Sequence, residues 1–166
     1  FLNLKNNYSS NYYTWGDNPS LQYICANESN IANIQQKIDQ FGYSATCHVN
    51  SYCSFTPGGT FYEVSGNTKY DFDTNGCDVS DVNYPNLNFN ITDGTTTDSF
   101  ISNVSGNFDI PLQAGNYIIT PNLENPSYFN INPPSFTVDF PTQPSPFTQD
   151  FCVTANGVHS DVEIMI

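Results

Sequence analysis

The chain has 166 residues, of which 3 are Lys or Arg and 16 are Asp or Glu, for a net charge of −13. Nucleic-acid backbones and anionic membrane surfaces are gripped by clustered cations, so this balance argues against both as partners. No apolar run reaches the roughly 20 residues that a bilayer-spanning helix needs, which predicts a soluble chain without membrane insertion. Charged residues make up 11% and aromatics 15%. With Asn, Thr and Ser abundant, that composition predicts a folded, mainly β protein.

The sequence opens at Phe1, with no basic segment ahead of an apolar core, and so reads as a mature fragment or a slice of something larger. Its five cysteines, Cys25, Cys47, Cys53, Cys77 and Cys152, fit an oxidising, extracellular or cell-surface setting, with five reduced thiols as the alternative. The odd count leaves one thiol unpaired or bridging outward.

In chain order, Leu2-Asn3-Leu4-Lys5-Asn6-Asn7 fits L-x-L-x-x-N, the strand and turn of a leucine-rich repeat, and Cys25 lies 21 residues beyond Leu4, within such a period. Asn18-Pro19-Ser20-Leu21-Gln22-Tyr23-Ile24-Cys25 reads as the next strand. One repeat cannot bury its own face, so the segment should continue into a solenoid upstream. From Asn27 to Gly42 the spacing of Ile31, Ile34, Ile38 and Phe41 predicts one amphipathic helix. Asn27 is its expected N-cap, and Gly42 its left-handed terminator.

Composition shifts at Thr56-Pro57-Gly58-Gly59, which divides the chain into residues 1–56, a linker at 57–59 and residues 60–166. Beyond the linker, Phe61 to Gly66 opens a strand. Leu87, Phe89 and Ile91 then alternate with polar neighbours, as do Phe108, Ile110 and Leu112 after the Ser105-Gly106-Asn107 turn. Tyr117 to Thr120 follows Gly115-Asn116, with further strands expected at 126–131, 135–140 and 161–166. About seven short strands with close turn signals predict an antiparallel sandwich.

The run Asn18 to Cys25, the helix, and Cys47-His48-Val49-Asn50-Ser51-Tyr52-Cys53 through Gly59 together resemble the last repeat and cap of leucine-rich-repeat surface proteins secreted by Bacteroidota such as flavobacteria. The remainder resembles a following β-sandwich of the SdrD B-like or carboxypeptidase-regulatory-like type, Ig-like or prealbumin-like in fold, with Gly106-Asn107-Phe108 and Gly115-Asn116-Tyr117 as its hairpin signature. The resemblance implies a large surface protein exported as type 9 secretion cargo. Its partners would be upstream repeats and downstream sandwich domains of the same polypeptide, together with surface glycans or other proteins. Two bridges are expected, Cys25–Cys47 from the repeat strand to the segment after the helix and Cys77–Cys152 from an acidic loop to a late strand. Cys53 is left over.

That loop, Asp71-Phe72-Asp73-Thr74-Asn75-Gly76-Cys77-Asp78-Val79-Ser80-Asp81, is the sharpest chemical signal. Asp71, Asp73 and Asn75 match the D-x-[DN]-x-[DN]-G calcium pattern, with Gly76 at the sharp turn and Cys77 offering its carbonyl. The terminal carboxylate position is occupied by Val82, so Asp81, or Asp78 as a substitute, must complete the set. The competing reading is a loop whose Asx side chains cap its own turns.

Catalysis finds little support. The chain has only His48 and His159, and Cys47 and His48, adjacent on a strand, face opposite ways. Cys25, Cys47, His48 and Cys53 lack the C-x₂-C spacing of a zinc knuckle. Asp93, Asp98 and Asp109 fall at turns or strand edges and read as solvated, not as a paired-acid site. Tyr8, Tyr12, Tyr13 and Trp15 form either a sugar-stacking platform or a cover over the solenoid end. The sequence therefore predicts a non-enzymatic structural or adhesive segment with Ca²⁺ as its cofactor. The alternative is a carbohydrate-binding or accessory module of a secreted enzyme.

Overall fold

The computed structural model describes residues 2–5, 18–53 and 60–158. The expected linker at 57–59, the aromatics of the 8–15 turn, His159 and the strand expected at 161–166 lie outside them.

Three short strands, β1 (Leu2–Asn3), β2 (Tyr23–Cys25) and β3 (His48–Asn50), run parallel in one ladder that aligns Leu2 with Ile24 and Ile24 with Val49. Between β2 and β3 the chain makes a 3₁₀ turn, Glu28–Asn30, and then the helix α1, Ile31–Gln40. Ile31, Ile34 and Ile38 are buried as their spacing requires. Phe41, the fourth member of the expected stripe, is 44% exposed because it lies past the last helical turn. Asn27 makes no side-chain cap bond, whereas Gly42 takes φ +76°, the left-handed geometry that ends the helix.

The remaining strands are β4 (Tyr62–Asp71), β5 (Val82–Asn83), β6 (Asn88–Thr92), β7 (Thr97–Ile101), β8 (Asn107–Leu112), β9 (Gly115–Asn122), β10 (Phe129–Asn132), β11 (Phe136–Phe140), β12 (Phe147–Thr148) and β13 (Phe151–Ala155). They form two sheets. The first runs β1-β2-β3-β7-β6-β9-β11, so the N-terminal parallel ladder and the sandwich share one sheet. The seam is the pairing of Asn50 with Phe100, extended by the Ser51 N–H donating to the Ser99 carbonyl at 2.8 Å. Ile101 of β7 packs into the same apolar cluster as Ile24, Ile31, Ile34, Ile38 and Val49.

In the second sheet, the ten-residue β4 is the spine. Along one edge it pairs antiparallel with β8 and then β5; along the other it pairs parallel with β12 and then β13. This corrects the all-antiparallel expectation, and both sheets are mixed. Local alternation reports which face a strand buries but not the direction of its neighbour. Phe89 and Phe100, stacked at 4.7 Å, meet Phe108 and Phe151 of the opposite sheet in the main core.

Candidate metal centre

Asp71 is the last residue of β4, and this placement buries it to 4% exposure. The β13 ladder carries the strand through Asp71, the first residue of the expected acidic loop, pairing it with Thr154. The chain then leaves the sheet and returns at Val82, which pairs with Tyr70. Both ends of the acidic loop are therefore fixed on β4.

The Asp71 carboxylate organises the turn. Oδ1 accepts the Asn75 N–H at 3.2 Å and Oδ2 the Gly76 N–H at 3.0 Å, while Asp73 Oδ1 accepts the Asn75 N–H at 3.3 Å. Thr74 at φ 61° and Gly76 at φ 97° turn the chain sharply enough for these bonds to close, and at Gly76 only glycine adopts that φ without strain. At the far end Asp81, 7% exposed, accepts the Asp78 N–H at 2.8 Å through Oδ2, while its buried Oδ1 has no partner. Carboxylate oxygens of Asp71, Asp73 and Asp81 lie within 4.8 Å of one another.

The cluster thus takes Asp81. Asp78 is exposed and its carboxylate accepts from Ser80 N–H at 2.7 Å and Ser80 Oγ–H at 2.6 Å, bonds that hold its pKa below the usual carboxylate range. Asn75 turns its amide nitrogen toward Asp73 Oδ2 at 2.9 Å; an amide flip would present its oxygen to the cluster instead. Lys69 donates to the Asp78 carbonyl, and among the described residues no Lys or Arg is ion-paired with the three clustered carboxylates.

Each pair of charges at that separation repels by roughly 3 kcal/mol at an effective dielectric of 20. The backbone N–H bonds satisfy Asp71 and one oxygen of Asp81. They leave the other Asp81 oxygen desolvated, a deficit of about 1–3 kcal/mol. A divalent cation held by oxygens would remove both deficits at once, and three clustered carboxylates are hard-oxygen donors of the kind such cations take.

The cysteines are joined as Cys77–Cys152 and Cys25–Cys53, each with Cα atoms 5.6 Å apart. Cys77–Cys152 is the pair named from the sequence. Cys25–Cys53 replaces the expected Cys25–Cys47, and the reason is where the strand ends. Cys25 lies level with Asn50, and the extended chain of β3 carries Cys47, three residues back, about 10 Å away. Cys53 is as far from Asn50 in sequence, but the chain leaves β3 there and bends at Ser51, which brings Cys53 back to Cys25. Cys47 stays a buried thiol within the helix-side core, and burial pushes its pKa to about 11, so it is unreactive at neutral pH.

Of the three acids expected to be solvated, two are tied into the structure by hydrogen bonds. Asp93 caps the β6–β7 turn and accepts the Tyr52 hydroxyl at 3.0 Å; Asp98 accepts from Lys5 Nζ at 3.1 Å and from Ser51 Oγ at 3.0 Å. Asp109 departs furthest. Burial, reinforced by a hydrogen bond to Glu63 and by its charge, pushes the Asp109 carboxyl up to about 8. The pair lines a cavity of about 240 Å³ with His48 and Tyr23, and burial holds the His48 imidazole below its ordinary pKa. Sequence analysis missed this pair because Glu63 and Asp109 meet only through the β4–β8 register.

Fold and site together define a two-sheet β-sandwich domain carrying an acidic, disulfide-tethered loop at the end of its central strand. No family model matches this chain, and no curated protein sequence matches it. Among solved structures it is similar to a double mutant of the shaft pilin SpaA from Lactobacillus rhamnosus GG, at 11% identity and TM-score 0.46, covering 59% of this chain and 52% of that one. It is also similar to a bacterial adhesin from Mobiluncus mulieris containing intramolecular disulfide, isopeptide and ester bond cross-links. There the identity is 6% and the TM-score 0.37, over 60% of this chain and 42% of that one. The chain spans about half the length of the pilin structure. These likenesses concern the fold alone. Among the described residues no helix is long and apolar enough to cross a membrane.

Proposed function

We propose that this chain is a non-enzymatic structural and adhesive segment of a large secreted or surface protein, held rigid by one calcium ion in the 71–81 loop. The observation that carries the calcium reading is the Asp81 carboxylate, whose buried Oδ1 lacks a partner beside Asp71 and Asp73. Asp71, Asp73, Asp81, Asn75 and the Cys77 carbonyl would hold the ion. Two disulfides in a small domain support an oxidising, extracellular setting. The parallel ladder β1-β2-β3, with α1 as the crossover beside it, supports the reading of residues 1–56 as the end and cap of a leucine-rich-repeat stack.

Thermal unfolding of the whole chain tests the proposal. Binding to the native state adds RT ln(1 + [L]/Kd), about 2.7 kcal/mol at a hundredfold excess over Kd. Chelation with EDTA should lower the midpoint, and calcium should restore it far better than magnesium, which dehydrates reluctantly. A midpoint indifferent to all three would sink the reading.

A further inference from the structure

The acidic loop is pinned at three points. Asp71 and Val82 hold its ends on β4, and Cys77 ties its middle to Cys152 on β13, the strand paired with β4 on its other edge. Cys152 is level with Lys69, two residues before the first carboxylate. The Cys77 N–H also donates to Cys152 Sγ at 3.2 Å, so the bridge orients the peptide that separates Asp73 and Asn75 from Asp81. From this placement we infer that the Cys77–Cys152 bridge sets the calcium affinity of the loop, making the site redox-dependent: tight when the bridge is closed, weak when it is open. The inference rests on the calcium reading above.

The physical reason is preorganisation. Without the bridge, the middle of the loop is held to the rest of the chain by the bonds that Asp71 and Asp81 accept from their own turn and by the flexible Lys69 side chain donating to the Asp78 carbonyl. Bringing three mutually repelling carboxylates together must then be driven by the ion itself, and the ordering entropy of the loop is subtracted from its binding free energy. With the bridge closed, that ordering precedes binding. The bridge is also accessible: both cysteines are half-buried and line an open groove of about 670 Å³ together with Lys69 and Gln149. At the other bridge Cys25 is fully buried and Cys53 half-buried. A dithiol entering the groove attacks one sulfur, forms a mixed disulfide and closes to its own cyclic disulfide. Two electrons and two protons pass to Cys77 and Cys152, which become thiols.

Linkage makes the effect reciprocal, so calcium must protect the bridge by the factor by which the bridge tightens calcium. Both directions are measurable on the whole chain. Isothermal titration with CaCl₂ should show a Kd at least tenfold higher for the Cys77→Ser/Cys152→Ser variant than for the wild type, at the same stoichiometry. In a dithiothreitol redox buffer, with the thiols trapped by alkylation and counted by peptide mass, calcium should move the wild-type Cys77–Cys152 midpoint by about 30 mV toward more reducing potentials per tenfold of affinity. The Cys25–Cys53 midpoint should stay where it is. The redox arm needs no variant, so it decides the matter even where the double variant folds poorly. A wild-type chain that binds calcium while its bridge midpoint is unmoved overturns the inference and leaves the calcium reading standing. A wild-type chain that binds no calcium overturns both.

Discussion

A β-carbon placed on Gly66 would stand 1.8 Å from the carbonyl oxygen of Gln149 and 2.6 Å from the Phe108 ring. This close approach lies where the strand alongside β4 is interrupted between β12 and β13: Gln149 donates its N–H to the Ser65 carbonyl at 2.9 Å, and Asp150 Oδ1 accepts the Asn67 N–H at 2.8 Å. Because the obstruction is backbone, no rotamer change relieves it. Gly66→Ala should therefore destabilise the chain by about 3 kcal/mol or more, the upper range for overpacking. Urea denaturation measures it; a loss below about 1 kcal/mol would show that the two strands stand further apart.

Asp81→Asn separates the ion's contribution from that of the fold. The substitution removes one of three like charges at a site where Asp71 and Asp73 lie within 4.8 Å. In EDTA the variant should melt no lower than the wild type, because repulsion has been relieved. With calcium, the wild-type rise of about 5–10 °C expected for the binding energy above should vanish. Asp73→Ala should likewise lose the calcium response without losing the fold.

The Glu63–Asp109 pair predicts a pH dependence. The folded pKa of Asp109 is raised to about 8, first by burial and then by Glu63. A raised pKa means that the stabilisation is fully present below the unfolded value near 4 and is lost as pH climbs toward 8. Asp109→Asn still donates a hydrogen bond to Glu63 but cannot ionise. It should melt about 5 °C above the wild type at pH 8 and nearly level with it at pH 4, equivalent to roughly 2 kcal/mol once solvent screening of this half-exposed pair is allowed for. Melting curves across that range decide it, and equal offsets at both ends would refute the assignment.

Residues 1–56 should not fold alone. Their apolar cluster is completed by Ile101 of β7, and β3 is paired along its far edge with β7 at Phe100. Cut free, this small unit must offset about 1–2 kcal/mol of backbone entropy per ordered residue with an incomplete core. The fragment is expected to show weak amide protection and to bind hydrophobic dye. Cooperative melting at neutral pH would mark a free-standing domain.

Much of this molecule was legible in the residues. The alternation of Phe89 with Ile91 and of Phe108 with Ile110 and Leu112 marked half-buried strands, and the 3-4 spacing of Ile31, Ile34 and Ile38 marked a helix with one buried face. The order Asp71, Asp73, Asn75, Gly76 specified the acidic turn, since Asx side chains and glycine act on their own backbone within a few residues. These are local properties, decided by side-chain period and φ preference. Tertiary structure decided the rest through register. It made β12 and β13 parallel to β4, ran the N-terminal ladder into the sandwich sheet at Asn50 and Phe100, and brought Glu63 to Asp109. It also set Cys53, not Cys47, within reach of Cys25. Strand neighbours are chosen by burial summed over partners that are here often tens of residues apart, and a period-two pattern is the same whichever partner lies beside it.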